Sequence, residues 1–124
     1  MATILLTLHR TDAYLAIGLM FVAAVYGFVS HRRHPQVVSR QYRIILIAGT
    51  IILAFQALLG LSMLASGLRP ANILHIAIYG ALSPLILPGA YFYVRGRGRS
   101  HPNLAFALVS LFLFGFLIRA LFTG

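Results

Sequence analysis

The stretch RIILIAGTIILAFQALLGLSMLAS, residues 43 to 66, decides the fold that this sequence predicts. After its first residue it contains no charged side chain, and as an α-helix it can cross a bilayer, which takes about 20 apolar residues. The stretches 13–30, 72–94 and 104–122 are similarly apolar, and a proline lies in each connection between neighbouring stretches. The sequence therefore predicts an all-α fold in which four transmembrane helices form one up-down bundle, a single domain over 1–124.

The composition also indicates a membrane protein. Of the 124 residues 60% are hydrophobic and 9% are charged, whereas a soluble domain carries about 25% charged residues. All ten positive side chains are arginine, Asp12 is the only acid, and the net charge is +9. Such a charge is also typical of nucleic-acid binding, but these arginines lie mainly in short connections, so we expect no nucleic-acid partner. The absence of cysteine excludes disulfides, thiolate catalysis and cysteine metal sites.

The arginines predict the direction of the helices. The first connection contains Arg32, Arg33, Arg40 and Arg43, and the third contains Arg95, Arg97 and Arg99. The second connection and the two ends of the chain carry one arginine each. Because cytoplasmic loops are enriched in basic residues, we expect the first and third connections in the cytoplasm and both termini outside. The predicted location is a bacterial or archaeal cytoplasmic membrane.

Two histidines share the outer end of the predicted bundle. In this topology His9 lies at the outer end of the first helix, and His75 about one turn inside the third. Two imidazoles that face each other across a bundle suit haem iron, so we interpret this pair as candidate axial ligands. Three arginines at the same end, Arg10, Arg69 and Arg119, are candidate partners of the haem propionates because guanidinium binds carboxylate well.

The only acid lies three residues after His9, and its role has several interpretations. Asp12 could hold the N–H of a ligand histidine or pair with Arg10. Alternatively it caps the first helix while His9 lies in the headgroup region. The outer arginines have a simpler interpretation as anchors at the membrane surface, and His75 as a side chain bonded to a neighbouring carbonyl or serine.

The second helix carries small and polar residues on one stripe. Their spacing at 3.6 residues per turn places them on one side of the helix, and they are Gly49, Gln56, Gly60, Met63 and Gly67. Such a stripe admits either a neighbouring helix or a flat ligand at close range. An amide in mid-span must find a polar partner, so Gln56 is a candidate for the cofactor site, together with Gly60 and Tyr79.

Three segments of the chain stand out: LHRTDAYL at 8–15, FQALLGLSML at 55–64 and ILHIAIYGALSPL at 73–85. Together they resemble the haem A synthase family, in its cofactor-binding half. The matching positions are His9, Arg10, Ala13, Tyr14, Leu15, Gln56, Leu59, Gly60, Leu74 and His75. The resemblance implies that His9 and His75 are axial ligands of a b-type haem near the outer membrane face.

The chain also departs from that family. The family has eight helices where four are predicted here, and its substrate half uses an outer carboxylate, often near a cysteine pair. This chain has no glutamate and no cysteine, which argues against an enzyme. We therefore expect a small b-type haem-binding membrane protein that acts in electron transfer or haem handling.

Two alternatives belong to other functional classes. One is a cofactor-free accessory or assembly subunit of a larger, respiratory-type membrane complex. The other is a half-size enzyme, similar to haem A synthase, that acts as a dimer and uses Asp12. For partners, the sequence predicts membrane lipid and either a second copy of the chain or a larger membrane complex.

Overall fold

The computed structural model describes residues 2–34, 37–67, 79–96 and 101–123. It is all-helical and contains α1 (Ala2–Arg33), α2 (Arg40–Ala65), α3 (Ala81–Gly96) and α4 (Pro102–Thr123). Three helical segments are long and apolar enough to cross a membrane: Thr3–Arg33, Arg40–Ala65 and Pro102–Phe122. The prediction of an all-α chain with four helices is therefore confirmed for the described residues.

The beginning of α1 differs from the prediction. The helix was expected over 13–30, but it begins at Ala2, because the apolar residues before His9 contain neither proline nor glycine to interrupt it. Asp12 thus lies well inside the helix, and its interpretation as an N-terminal cap is wrong. A cap does occur on α2, where the Ser39 side chain accepts a hydrogen bond from the backbone N–H of Tyr42.

The other bounds lie closer to those predicted. The second helix was expected over 43–66 and the fourth over 104–122, and both begin a few residues earlier. The third was expected over 72–94, and its first part falls outside the described residues. From Ala81 it continues through Pro84 and Pro88 to Gly96, and a short π-helical turn at 79–80 precedes it.

The four helices occupy the corners of a square. Helix α1 packs against α2 and α4, α3 packs against the same two helices, and the remaining pairs lie diagonally opposite. Where α1 meets α2, Gly27 contacts Tyr42, Met20 contacts Gly49, and His9 contacts Gly60. The beginning of α1 therefore lies beside the end of α2.

The outer surface of the bundle is apolar. Large side chains are exposed on each helix, among them Leu15, Ile51, Leu85 and Phe112. The interior combines small residues such as Ala16 and Ala23 with the fully buried side chains of Met20, Leu53 and Leu113. Small residues inside and large apolar residues outside are typical of helices that pack within lipid.

Candidate cofactor site between the first two helices

Four of the predicted site residues lie together between α1 and α2. His9 and Asp12 are three positions apart on α1, and Gln56 and Gly60 are four apart on α2, so each pair shares one face of its helix. One end of the Gln56 side-chain amide lies 3.4 Å from Nε2 of His9. The predicted stripe of α2 therefore faces α1 at these two positions.

The hydrogen bonds depend on which way the Gln56 amide is turned. With its nitrogen toward α1, the amide donates to Oδ2 of Asp12 at 2.8 Å and to the backbone carbonyl of His9 at 3.1 Å. Its oxygen then accepts from Nδ1 of His9 at 3.3 Å. We assign this orientation because it pairs every donor with an acceptor, which is the basis on which amide orientations are decided. Gln56 is thus the link between the imidazole and the carboxylate.

The assigned amide orientation favours one tautomer of the His9 ring. A proton on Nδ1 that is donated to Gln56 leaves the lone pair of a neutral imidazole on Nε2. Metal-bound histidines usually donate their other ring N–H to an oxygen acceptor in this way, which fixes the ring's tautomer and orientation. A His9 ring that donates from Nδ1 therefore has the tautomer of an axial haem ligand, and the end of the Gln56 amide also lies 3.4 Å from its Nε2.

Gly60 lies next to the imidazole of His9. A Cβ atom added at this position would lie 3.8 Å from Cε1 of His9, an ordinary van der Waals contact. Alanine would therefore fit at this position, whereas a longer side chain directed at the ring would displace it. The ring of His9 thus contacts both the Gln56 amide and Gly60.

Asp12 has a different partner from the two that were considered. Its side chain is only 7% exposed, and in the assigned orientation it accepts from Gln56. Arg10 is exposed, and within the described parts of the chain no ion pair joins it to Asp12. Because Gln56 also accepts from His9, the carboxylate acts on the histidine through the amide.

The remaining predicted site residues are less directly connected to this cluster. Arg119 is exposed on α4, one turn after Phe116, whose ring lies 4.6 Å from the Tyr79 ring between centroids. His75 and Arg69 lie outside the described residues. The pairing of His9 with His75, and the three arginines as propionate partners, stay predictions.

A metal held by protein side chains alone has no ligand set in the described segments. There, no three or more histidine, aspartate or glutamate side chains form a group that could hold a metal ion. A porphyrin supplies four nitrogen ligands itself, so a haem needs only one or two residues from the protein. The cluster around His9 suits that smaller requirement.

Sequence reasoning missed a polar contact at the opposite end of the bundle. Asn103, fully buried in the first turn of α4, donates to the backbone carbonyls of His34 and Val37 at 2.8 and 2.7 Å. These bonds tie the connection between α1 and α2 to α4. An asparagine directly after His101-Pro102, just before an apolar stretch, was the available signal.

Comparison of the chain with family models, with curated proteins and with solved structures finds no match.

Proposed function

We propose that this chain is a small membrane protein that binds one b-type haem near the outer membrane face, with His9 and His75 as axial ligands. In this proposal the helices form an up-down bundle in a bacterial or archaeal cytoplasmic membrane, with both termini outside. The contacts of Gln56 with both His9 and Asp12 are the observation that carries it. Three linked polar side chains in an apolar segment are costly, so a function is the expected reason for them.

Each residue of the cluster has a role in this proposal. His9 would bind the iron, Gln56 would hold its Nδ1–H, and Asp12 would hold the amide of Gln56. Gly60 lies next to the ring. The cofactor, when bound, supplies one-electron redox chemistry, and two histidine ligands leave no open position on iron for a substrate. Electron transfer is therefore the activity that we propose.

Arginine side chains complete the proposed site. Arg10 and Arg119 are exposed at the end of the bundle where α1 begins and α4 ends, and Arg69 precedes His75 in sequence. In our proposal these three side chains pair with the haem propionates, since a planar guanidinium can bind a carboxylate with two hydrogen bonds. In the same proposal Tyr79, four positions after His75 in the sequence, would lie beside the macrocycle.

The same contact also supports a cofactor-free alternative. Hydrogen bonds from Gln56 join α1 to α2 within the apolar part of the bundle, and such bonds strengthen helix association in membranes. In that case the cluster is structural, and the chain serves as an accessory subunit whose apolar exterior contacts other helices. The two proposals predict different visible spectra, because only a haem protein absorbs strongly in the visible range.

A reduced-minus-oxidised visible spectrum of the detergent-purified protein tests the proposal. We expect a sharp b-type α band in the wild type and its loss in His9→Ala and His75→Ala. His34→Ala is the matched control, because this exposed histidine lies at the other end of the bundle and uses only its backbone carbonyl to bind Asn103. A wild type without the band after haem is supplied during expression would overturn the proposal.

A further inference from the structure

A groove with charge at only one end lies between α2 and α3. Its volume is about 610 Å³, and its lining residues include Arg43, Leu46, Ile51, Leu87, Tyr91 and Arg95. The buried ring of Phe106 from α4 contributes to the same groove. The walls are predominantly aliphatic and aromatic, so the groove suits an apolar chain.

The two arginines lie at the same end of this groove. Arg43 is in the first turn of α2 and Arg95 in the last turn of α3, which is where these two neighbouring helices begin and end. The only acidic residue of the chain, Asp12, lies on α1 beside Gln56, far along α2 from Arg43. No acidic side chain therefore neutralises the pair, which makes this end of the groove complementary to an anion.

The length of the groove matches one leaflet of a bilayer. From Arg43 to Ile51 the helix rises about 12 Å at 1.5 Å per residue. Half of the hydrocarbon core measures about 15 Å. An acyl chain that begins at the headgroup level beside the arginines therefore has apolar walls along most of its path.

We propose that this groove is a binding site for an anionic phospholipid. The phosphate lies between Arg43 and Arg95, and one acyl chain follows the apolar walls toward Ile51. Phosphatidylglycerol satisfies both ends of the groove. Phosphatidylcholine offers the same chains but adds a positive group beside two arginines, and a free phosphate has no chain to bury. The site lies at the opposite end of the bundle from His9 and does not depend on haem.

Tryptophan fluorescence in vesicles tests this proposal, because the chain contains no tryptophan of its own. Tyr91→Trp places a reporter in the groove, where lipids with brominated acyl chains quench it. Brominated phosphatidylglycerol is compared with brominated phosphatidylcholine of identical chains. If each arginine contributes roughly a fivefold effect, we expect a preference of about 25-fold for phosphatidylglycerol. A preference below about threefold would overturn the proposal.

A second reporter separates the groove from the general lipid surface. Val25→Trp lies on the exposed face of α1, near the level of Tyr42 because neighbouring Gly27 contacts that residue. At this position we expect nearly equal quenching by the two lipids. An equal preference at both reporters would contradict a defined site, because it would reflect the positive charge of the whole protein.

Paired arginine variants test the charged end of the groove. Arg43→Gln with Arg95→Gln should reduce the preference at the groove reporter to less than threefold. Arg32→Gln with Arg40→Gln removes the same charge at the same end of the bundle but outside the groove lining, and should leave the preference unchanged. Equal losses in the two pairs would overturn the assignment of the phosphate to Arg43 and Arg95.

A soluble competitor tests the need for the acyl chain. Glycerol 3-phosphate carries the anion without the chains, and we expect no relief of quenching by it at millimolar concentration. Relief of quenching would show that the anion alone accounts for binding, and would overturn the phospholipid assignment. Thermal melting followed by circular dichroism checks that each variant, all at exposed positions, folds as the wild type does.

Discussion

At the scale of single residues, Gln56 connects the two functional groups of the proposed site. It is the one side chain of α2 that reaches both the imidazole of His9 and the carboxylate of Asp12. A residue that orients a metal ligand affects both the affinity for the metal group and its electronic properties. The amide therefore offers a test that distinguishes haem ligation from simple helix association.

Replacing Gln56 by leucine should weaken haem binding without abolishing it. We expect a loss of about 10- to 100-fold in haem affinity, because His9 loses the acceptor for its Nδ1–H. Haem titration by absorbance measures the affinity, and a redox titration of the retained haem should show a shifted midpoint potential. Gln56→Glu keeps an acceptor oxygen for the imidazole but removes the donor to Asp12, so it is combined with Asp12→Asn, and the double variant should bind haem more tightly than the leucine variant. Wild-type affinity and potential in Gln56→Leu would contradict this role.

The size of residue 60 should control the position of His9. Gly60→Ala adds a Cβ at 3.8 Å from Cε1 of His9, an ordinary contact, so the haem spectrum should be retained. Gly60→Leu extends into the ring and should remove most of the α band. The visible spectrum measures both outcomes, and a full band in Gly60→Leu would show that the imidazole does not lie against this glycine during ligation.

At the scale of helices, close approach depends on glycine at particular positions of α1. A Cβ added at Gly27 would lie 2.8 Å from the Cβ of Ala107 on α4 and would also collide with the Tyr42 ring of α2. Three helices therefore meet at this point, and a larger residue must push at least one of them away.

Gly27→Ala should destabilise the protein by about 1–3 kcal/mol, because the added methyl overpacks the contact of three helices. The measurement is a denaturation curve of the detergent-solubilised protein. Gly18→Ala is the matched control on the same helix, since nothing lies within 4 Å of the added Cβ. This variant should not lower the free energy of unfolding. Equal stability of the two variants would show that the helices do not meet at Gly27.

At the scale of the whole molecule, the proposed orientation separates the two candidate sites. The cluster at His9 lies where α1 begins, and the groove arginines lie where α2 begins and α3 ends. With both termini outside, the haem site faces the outer side of the membrane and the phospholipid site faces the cytoplasmic leaflet. This orientation follows from the distribution of arginine along the chain, and chemical labelling can test it directly.

Single cysteines should report the orientation, because the natural chain has none. In intact cells, a membrane-impermeant maleimide should label Thr3→Cys and leave Val37→Cys unlabelled. Both positions are exposed, and the cysteine of Val37→Cys should react after the cells are permeabilised. The reverse pattern would place the first connection outside and would contradict the proposed direction.

Much of the fold could be predicted from local properties of the sequence. The length of the apolar stretches predicted four helices, because crossing a bilayer requires a minimum number of apolar residues whatever the neighbouring helices do. The beginning of α1 could not be predicted as well. The residues before His9 are compatible with either a helix or an extended end, and only the helix that the structure shows carries His9 against α2.

The sequence by itself determined the helix content, the apolar surface and the candidate residues His9, Asp12 and Gln56. Only the tertiary structure decided that these three side chains meet, and that Arg43 and Arg95 share one groove. The physical reason lies in the helices themselves. A membrane helix is apolar on nearly every face, so its sequence carries little information about which face contacts a neighbour. The rotation of each helix about its axis and its depth in the membrane are set by packing against the other helices. That packing brings residues that are distant in sequence together.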